Sequence, residues 1–273
     1  MDGVQLTLID SIDSAMEFKR WLGERRDVLA FDTETGGLEA WAQPLRLVQF
    51  GDAMRGWTIP WFKWGGVALE ALSAYEGPLV AHNAKFDVGF IERHSGFRFP
   101  WHLVHDTMIQ AHLLDPTVSV ALKHLATLKV HPRAAAGQEL LGEAMKAQKW
   151  SWGSVPVDFP AYWAYAGLDC VLTARLHKLQ FPEVAASYKE VYELEMASTR
   201  VCMGMEQRGA RIDLPYCERQ LQRVPLLDVG LGLLMLGLRL LFARVLLLAF
   251  LVVALLLGDL VLGLGLGLRD LAV

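Results

Sequence analysis

Apolar and polar residues alternate over positions 5–9, a pattern that predicts a strand. The spacing then lengthens: Ile12, Ala15, Met16 and Leu22 recur at helical intervals across 11–24, with Lys19 on the polar side and Asp13 and Ser14 suited to capping. Val28, Leu29, Ala30 and Phe31 form a continuous apolar run closed by Gly36 and Gly37, which reads as a buried strand ending in a turn. Two further strands, 45–50 and 56–59, flank a Gly51-Asp52 turn; strands joined so tightly are antiparallel, so the sheet is mixed. A short strand at 78–81 leads to a helix at 85–94. The second half is read as helical at 107–114, 121–128 and 161–180, with an interruption expected near Gly167 and a break at Pro182. A last helix at 183–207 stops at Gly209. Strands alternating with helices give an α/β class: a mixed central sheet flanked by helices and followed by a helical extension.

The strand at 28–35 carries Asp32 and Glu34 two residues apart, hence on one face. Two carboxylates held side by side at the end of a buried strand repel each other, and a divalent cation between them is the simplest relief. Oxygen-only ligands select Mg²⁺ or Mn²⁺ over zinc. The blander alternative is that Asp32 caps the turn and Glu34 is solvated. Asp87, in the first turn of the 85–94 helix, is by itself a favourable charge at a helix N-terminus. Tyr165 and Asp169, four apart on one helix face, are by themselves a packing pair.

The 273 residues carry a net charge of -4, so there is no global basic signature of a duplex-coating protein. A nucleic-acid enzyme stays allowed if its contact is small, single-stranded and metal-assisted. Cys170, Cys202 and Cys217 are widely spaced and odd in number, which points to a reducing cytoplasm rather than a disulfide framework. The N-terminus lacks the basic start and apolar core of a signal peptide. None of the histidines has H-E-x-x-H spacing, which argues against a zinc hydrolase.

Taken in order, FDTET, HNAKFD, DTMIQAHLLDP and YAGLDCVLTARLH resemble the motifs of the tyrosine-bearing branch of the DEDD exonucleases, and among these the proofreading domain of family A, polymerase I-like DNA polymerases of bacteria and phages. The resemblance implies an RNase H-like 3′-5′ exonuclease domain over residues 1–182, followed at 183–225 by the start of a polymerase-type helical region. It implies two Mg²⁺ or Mn²⁺ ions, one held by Asp32, Glu34 and Asp169 and a second by Asp32 and Asp87, with Tyr165 orienting the attacking water. It further implies that Thr35, Leu38, Asn83 and Phe86 contact the end of a single-stranded DNA 3′ terminus. Trp41 is a stacking candidate from position alone, and Lys123, Lys129, Arg133, Lys146 and Lys149 make 123–149 locally basic. An RNase D-like exoribonuclease and a non-catalytic primer-end module stay open as alternatives.

After Gly209 the polymerase's own catalytic motifs are missing, so no primer extension is expected of this chain. Residues 226–273 turn to Leu, Gly, Val and Ala with six charged residues. The uncharged run 245–258 is shorter than the ~20 residues a membrane span needs, so a frameshifted or otherwise aberrant end to a polymerase gene is preferred to an anchor. The expected location is the cytoplasm of a bacterium or of a phage's host.

Overall fold

The computed structural model describes residues 3–222. Its first compact unit runs to Gly209 and contains, in order, β1 (Gln5–Leu8), α1 (Ile12–Gly23), β2 (Leu29–Thr35), β3 (Leu45–Gly51), β4 (Arg55–Pro60), α2 (Trp61–Ala74), β5 (Leu79–Ala81), α3 (Ala84–Ser95), β6 (Val104–Asp106), α4 (Thr107–Leu114), α5 (Leu122–Lys129), α6 (Ala136–Gln148), α7 (Pro160–Ser187) and α8 (Lys189–Arg208). The strands form one mixed sheet in the order β1-β4-β3-β2-β5-β6. β3 runs antiparallel to both β2 and β4, and the remaining pairings are parallel. The hairpin between β3 and β4 sits where the Gly51-Asp52 signal put it, and Asp52 Oδ1 fixes the turn by accepting from the N–H groups of Met54 and Arg55 at 2.7 and 2.6 Å.

Strand alternation sorts the sheet into two faces. Phe31, Val48, Phe50, Trp57 and Ile59 join Phe18, Trp21 and residues of α2 and α3 in the main core. Phe18 packs its ring 5.7 Å from that of Phe50 and 5.6 Å from that of Trp57. Ala30 and Val80 lie on the other face against Cys170 and Ala174 of α7. Asp32 and Glu34 share the parity of Ala30, so they are directed toward α7 as well.

Helix α7 is continuous, which corrects two expectations. No interruption occurs at Gly167, whose role is close packing. A Cβ on Gly56 of β4 would collide with the Gly167 carbonyl, and one on Gly167 would lie 2.9 Å from Thr58 Oγ1. Thr58 Oγ1 in turn donates to the Trp163 carbonyl at 2.8 Å, so helix and strand meet backbone to backbone. Nor does Pro182 break the helix; it is exposed, as is Lys178, the residue one turn earlier whose carbonyl loses its helical donor.

The expected 182/183 boundary therefore falls within a compact unit that includes α8, whose Tyr192, Met196 and Met203 are buried in the main core. Helices α2 and α6 and strand β6 are further elements that the sequence pattern did not bring out. Neither helix has a side-chain cap, and α2 carries Gly65 and Gly66 inside it. The described part of the second unit holds a helix over 214–222. The 226–273 tail, and with it the frameshift expectation, lies outside the described residues. Among those residues no helix is long and apolar enough to cross a membrane.

The glycine contact yields a paired prediction. Gly56→Ala should destabilise the protein by about 1 to 3 kcal/mol through overpacking. Gly66→Ala, in open space on α2, should stabilise it by about 0.5 to 1 kcal/mol. Urea unfolding of both variants beside wild type checks this, and equal stabilities for wild type and Gly56→Ala would contradict the close packing.

Candidate active site

The end of β2 presents Asp32 and Glu34 to α7, and α7 answers with Asp169 one turn beyond Tyr165. The three carboxylates offer oxygens that all lie within 4.8 Å of one another. Asp87 reaches the same cleft from the opposite side of the strand. Its Oδ1 accepts from Thr33 Oγ1 at 2.7 Å, and Thr33 points away from α7 by alternation. The cleft has a volume of about 270 Å³ and is lined by Asp32, Glu34, Asp87, Tyr165 and Asp169 together with all four expected contact residues, Thr35, Leu38, Asn83 and Phe86. Leu38 is 84% exposed on the rim, whereas the Thr35 hydroxyl is turned inward and donates to the Gly37 carbonyl at 2.6 Å.

Burial dominates the electrostatics. Desolvation, opposed by Lys123, pushes the Asp32 pKa up to about 7. Glu34 and Asp87 are raised well above the usual carboxylate range, first by burial and then by the charge of Asp32. Burial also pushes the Tyr165 phenol up, and the nearby carboxylates add to this, so its hydroxyl is a neutral donor. An all-oxygen set of crowded, desolvated carboxylates fits a hard divalent cation.

Three residues that sequence reasoning passed over, or assigned elsewhere, help to build the site. Asp106, at the end of β6, accepts from the backbone N–H groups of Asn83 and Ala84 at 3.1 and 2.7 Å and caps α4 through Met108 N–H at 2.8 Å. It thereby holds Asn83 in the left-handed region (φ 67°) and ties down the start of the helix that carries Asp87. The phrase DTMIQAHLLDP contained Asp106, but nothing local marks a carboxylate as a cap for a second helix twenty residues upstream.

Trp152 is the second, lining the cleft with its ring 6.1 Å from that of Tyr165. Its backbone carbonyl and that of Val155 accept from the Arg46 guanidinium, which pins this loop to β3.

Lys123 is the third. It does not lie on an exposed basic wall: its side chain is 13% exposed, pairs with Asp169 Oδ1 and stands 4.3 Å over the Tyr165 ring. Burial pulls its pKa down to about 8 against the carboxylates, which raise it. Lys129, Arg133, Lys146 and Lys149 are exposed. Trp41, 69% exposed, lies outside the carboxylate cleft. It lines an adjoining groove of about 770 Å³ between α3 and the end of α8, and that groove shares Leu38, Asn83 and Phe86 with the cleft.

Residues 8–180 match the family model described as 3′-5′ exonuclease. The chain belongs to the 3′-5′ exonuclease family of family A DNA polymerases. The DNA polymerase of Mycobacterium phage L5 is 27% identical over 233 residues, covering 79% of this chain and 39% of that polymerase. That of Mycobacterium phage D29 is 26% identical over 241 residues, covering 80% and 39%. The chain thus spans about two fifths of the length of these relatives.

Among solved structures, Brucella melitensis NrnC with bound Mg²⁺ superposes with a TM-score of 0.53 at 18% identity, covering 77% of this chain and 96% of NrnC. The catalytic core of RRP6 from Trypanosoma brucei gives 0.53 at 14% identity, covering 73% of this chain and 52% of that one. At such identities the likeness is one of fold, the RNase H-like exonuclease fold expected from the motifs.

A pH prediction follows from Asp32. Its folded pKa of about 7 stands above the ordinary 3.8, so between these values the folded state holds more protons than the unfolded one. The contribution of Asp32 to stability is therefore present at low pH and lost as pH rises through about 7. Without metal, the melting temperature of wild type should fall relative to that of Asp32→Asn between about pH 4 and 7. Mn²⁺ should bind wild type more tightly at the upper end of that range, with proton release, as calorimetry in buffers of different ionisation heat would register. A pH-independent affinity would contradict this.

Proposed function

We propose that this chain is a metal-dependent nuclease that removes nucleotides from the 3′ end of single-stranded or mismatched DNA, the proofreading part of a polymerase. The convergence of Asp32, Glu34 and Asp169 from two elements onto one cleft is the observation that carries this reading. The likeness to the DNA polymerases of the two mycobacteriophages supports DNA rather than RNA as the substrate. Asp32, Glu34 and Asp169 would hold one Mg²⁺ or Mn²⁺, and Asp32 with Asp87 a second. Such ions supply charge neutralisation at a phosphodiester and an acidified water.

The chain's own residues do the rest. The neutral Tyr165 phenol orients the attacking water by donating to it. Leu38 wedges against a base at the rim and Phe86 packs beside the terminal nucleotide, with Thr35 and Asn83 supplying polar contacts. Apolar walls of this kind accept unstacked bases, so a frayed end enters more readily than a paired one. Trp41, in the adjoining groove, is placed to stack a base farther from the terminus. The chain would act in the cytoplasm of a bacterium or of a phage's host, a reading that its three free cysteines support. The stretch 183–225 would lead into the polymerase region with which the nuclease works.

The decisive experiment is degradation of matched 3′-labelled DNA and RNA single strands and paired duplexes, with and without Mg²⁺ or Mn²⁺. Mononucleotides should be released from unpaired DNA ends faster than from paired ones, and only with metal. A preference for RNA would favour the RNase D-like alternative, and no metal-dependent cleavage at all the non-catalytic one. Asp169→Ala should abolish metal binding and cleavage together. Tyr165→Phe should keep metal binding and lose about 10²-fold to 10³-fold in single-turnover rate, the usual cost of one preorganised donor. Loss of metal binding in Tyr165→Phe would show that its role is misassigned. Template-dependent primer extension by the 273-residue chain should be absent.

A further inference from the structure

Lys123 is a basic residue in a place where the metal reading calls for a different cation. It comes from the first turn of α5, which packs on α7 through Leu125, Ala126, Leu172 and Leu176, so its backbone is anchored in a core and only its side chain reaches the cleft. The ammonium pairs with Asp169 Oδ1 and stands over the ring of Tyr165, near enough to Asp32 and Glu34 to influence both carboxylates. Arg46 is the other cation that Glu34 feels, and its guanidinium is committed to the carbonyls of Trp152 and Val155. The positive charge that the chain itself sets among these carboxylates is therefore one buried ammonium.

We propose that Lys123 is a resident counter-cation of the carboxylate cluster, holding Asp169 in register with Asp32 and Glu34 until a divalent ion binds and competing with that ion for the site. This inference rests on the metal-binding reading of the cluster. A buried ion pair that merely staples α5 to α7 makes a different prediction. Removal of a staple weakens the fold equally with and without metal and leaves the metal affinity unchanged or lower. Removal of a competing cation weakens only the metal-free fold and tightens metal binding, because a like charge has left the site.

The test uses the full chain with Lys123→Met, which keeps the length and apolar stem of the side chain, and Lys123→Arg, which keeps the charge. Mn²⁺ binding is measured by calorimetry, and melting temperature with and without saturating Mn²⁺. Lys123→Met should melt below wild type without metal, recover most of that loss at saturating Mn²⁺, and bind Mn²⁺ about tenfold or more tightly. Lys123→Arg should stay near wild type in both measurements. Unchanged or weaker Mn²⁺ affinity in Lys123→Met, or a melting deficit that Mn²⁺ does not reduce, would overturn the proposal while leaving the metal site standing. Absence of Mn²⁺ binding in wild type and in both variants would overturn both.

Discussion

The burial of neighbouring, mutually repelling carboxylates at the end of one strand is the constraint on which the rest of this structure depends. Two unit charges ~5 Å apart in surroundings of effective dielectric constant ~20 oppose each other by about 3 kcal/mol. Asp32, Glu34 and Asp169 form three such pairs, with Asp87 close behind. A fold can hold this arrangement only if protons, an ammonium or a metal ion share the site, and the raised carboxylate pKa values and the Lys123 pairing are the first two of these responses. Binding of a divalent ion, as proposed above, would be the third, and would turn a liability of the fold into affinity for a phosphodiester.

Holding four acids in place needs rigidity in the elements that carry them, and the packing supplies it. Gly56 and Gly167 let α7 lie against β4 at backbone distance, which brings Asp169 up to β2. Thr33 fixes Asp87 from the far face of that strand. Asp106 secures the turn before α3 and is itself braced by α8, where the Tyr192 hydroxyl accepts from the Asp106 N–H at 3.0 Å. Removing α8 would thus loosen a carboxylate's supporting helix without touching the cleft. This gives a physical reason for that helix to belong with the nuclease unit rather than with the segment beyond Gly209.

The cleft divides its work by chemistry. Charged groups gather at the floor, while Leu38, Phe86 and Trp152 form apolar rims. A polyanion approaching four carboxylates would be repelled, so base stacking and neutralisation at the floor must supply the affinity together. The adjoining groove carries a similar mixture, with Trp41, Arg93 and Arg208 all in its lining, and continues the cleft through shared residues.

Local physics was enough to make much of this legible in the chain. Period-two and period-three-to-four patterns located β1 to β5 and the helices carrying the motifs, and the parity of Asp32 and Glu34 required both to leave one face. The ordered motifs named Asp32, Glu34, Asp87, Tyr165 and Asp169, and the tertiary structure sets these residues along one cleft. What the chain alone did not determine involves partners distant in sequence. Gly167 looks like a helix breaker until β4 is seen to need its missing Cβ, and Pro182 looks like a stop until its exposure is known. Asp106 and Trp152 have ordinary neighbours in sequence, and Lys123 reads as a solvated base on a basic stretch. Its burial beside Asp169, 46 positions along the chain, comes only from the packing of α5 on α7, because charge and pattern report what a residue is and only tertiary packing decides how much water it keeps.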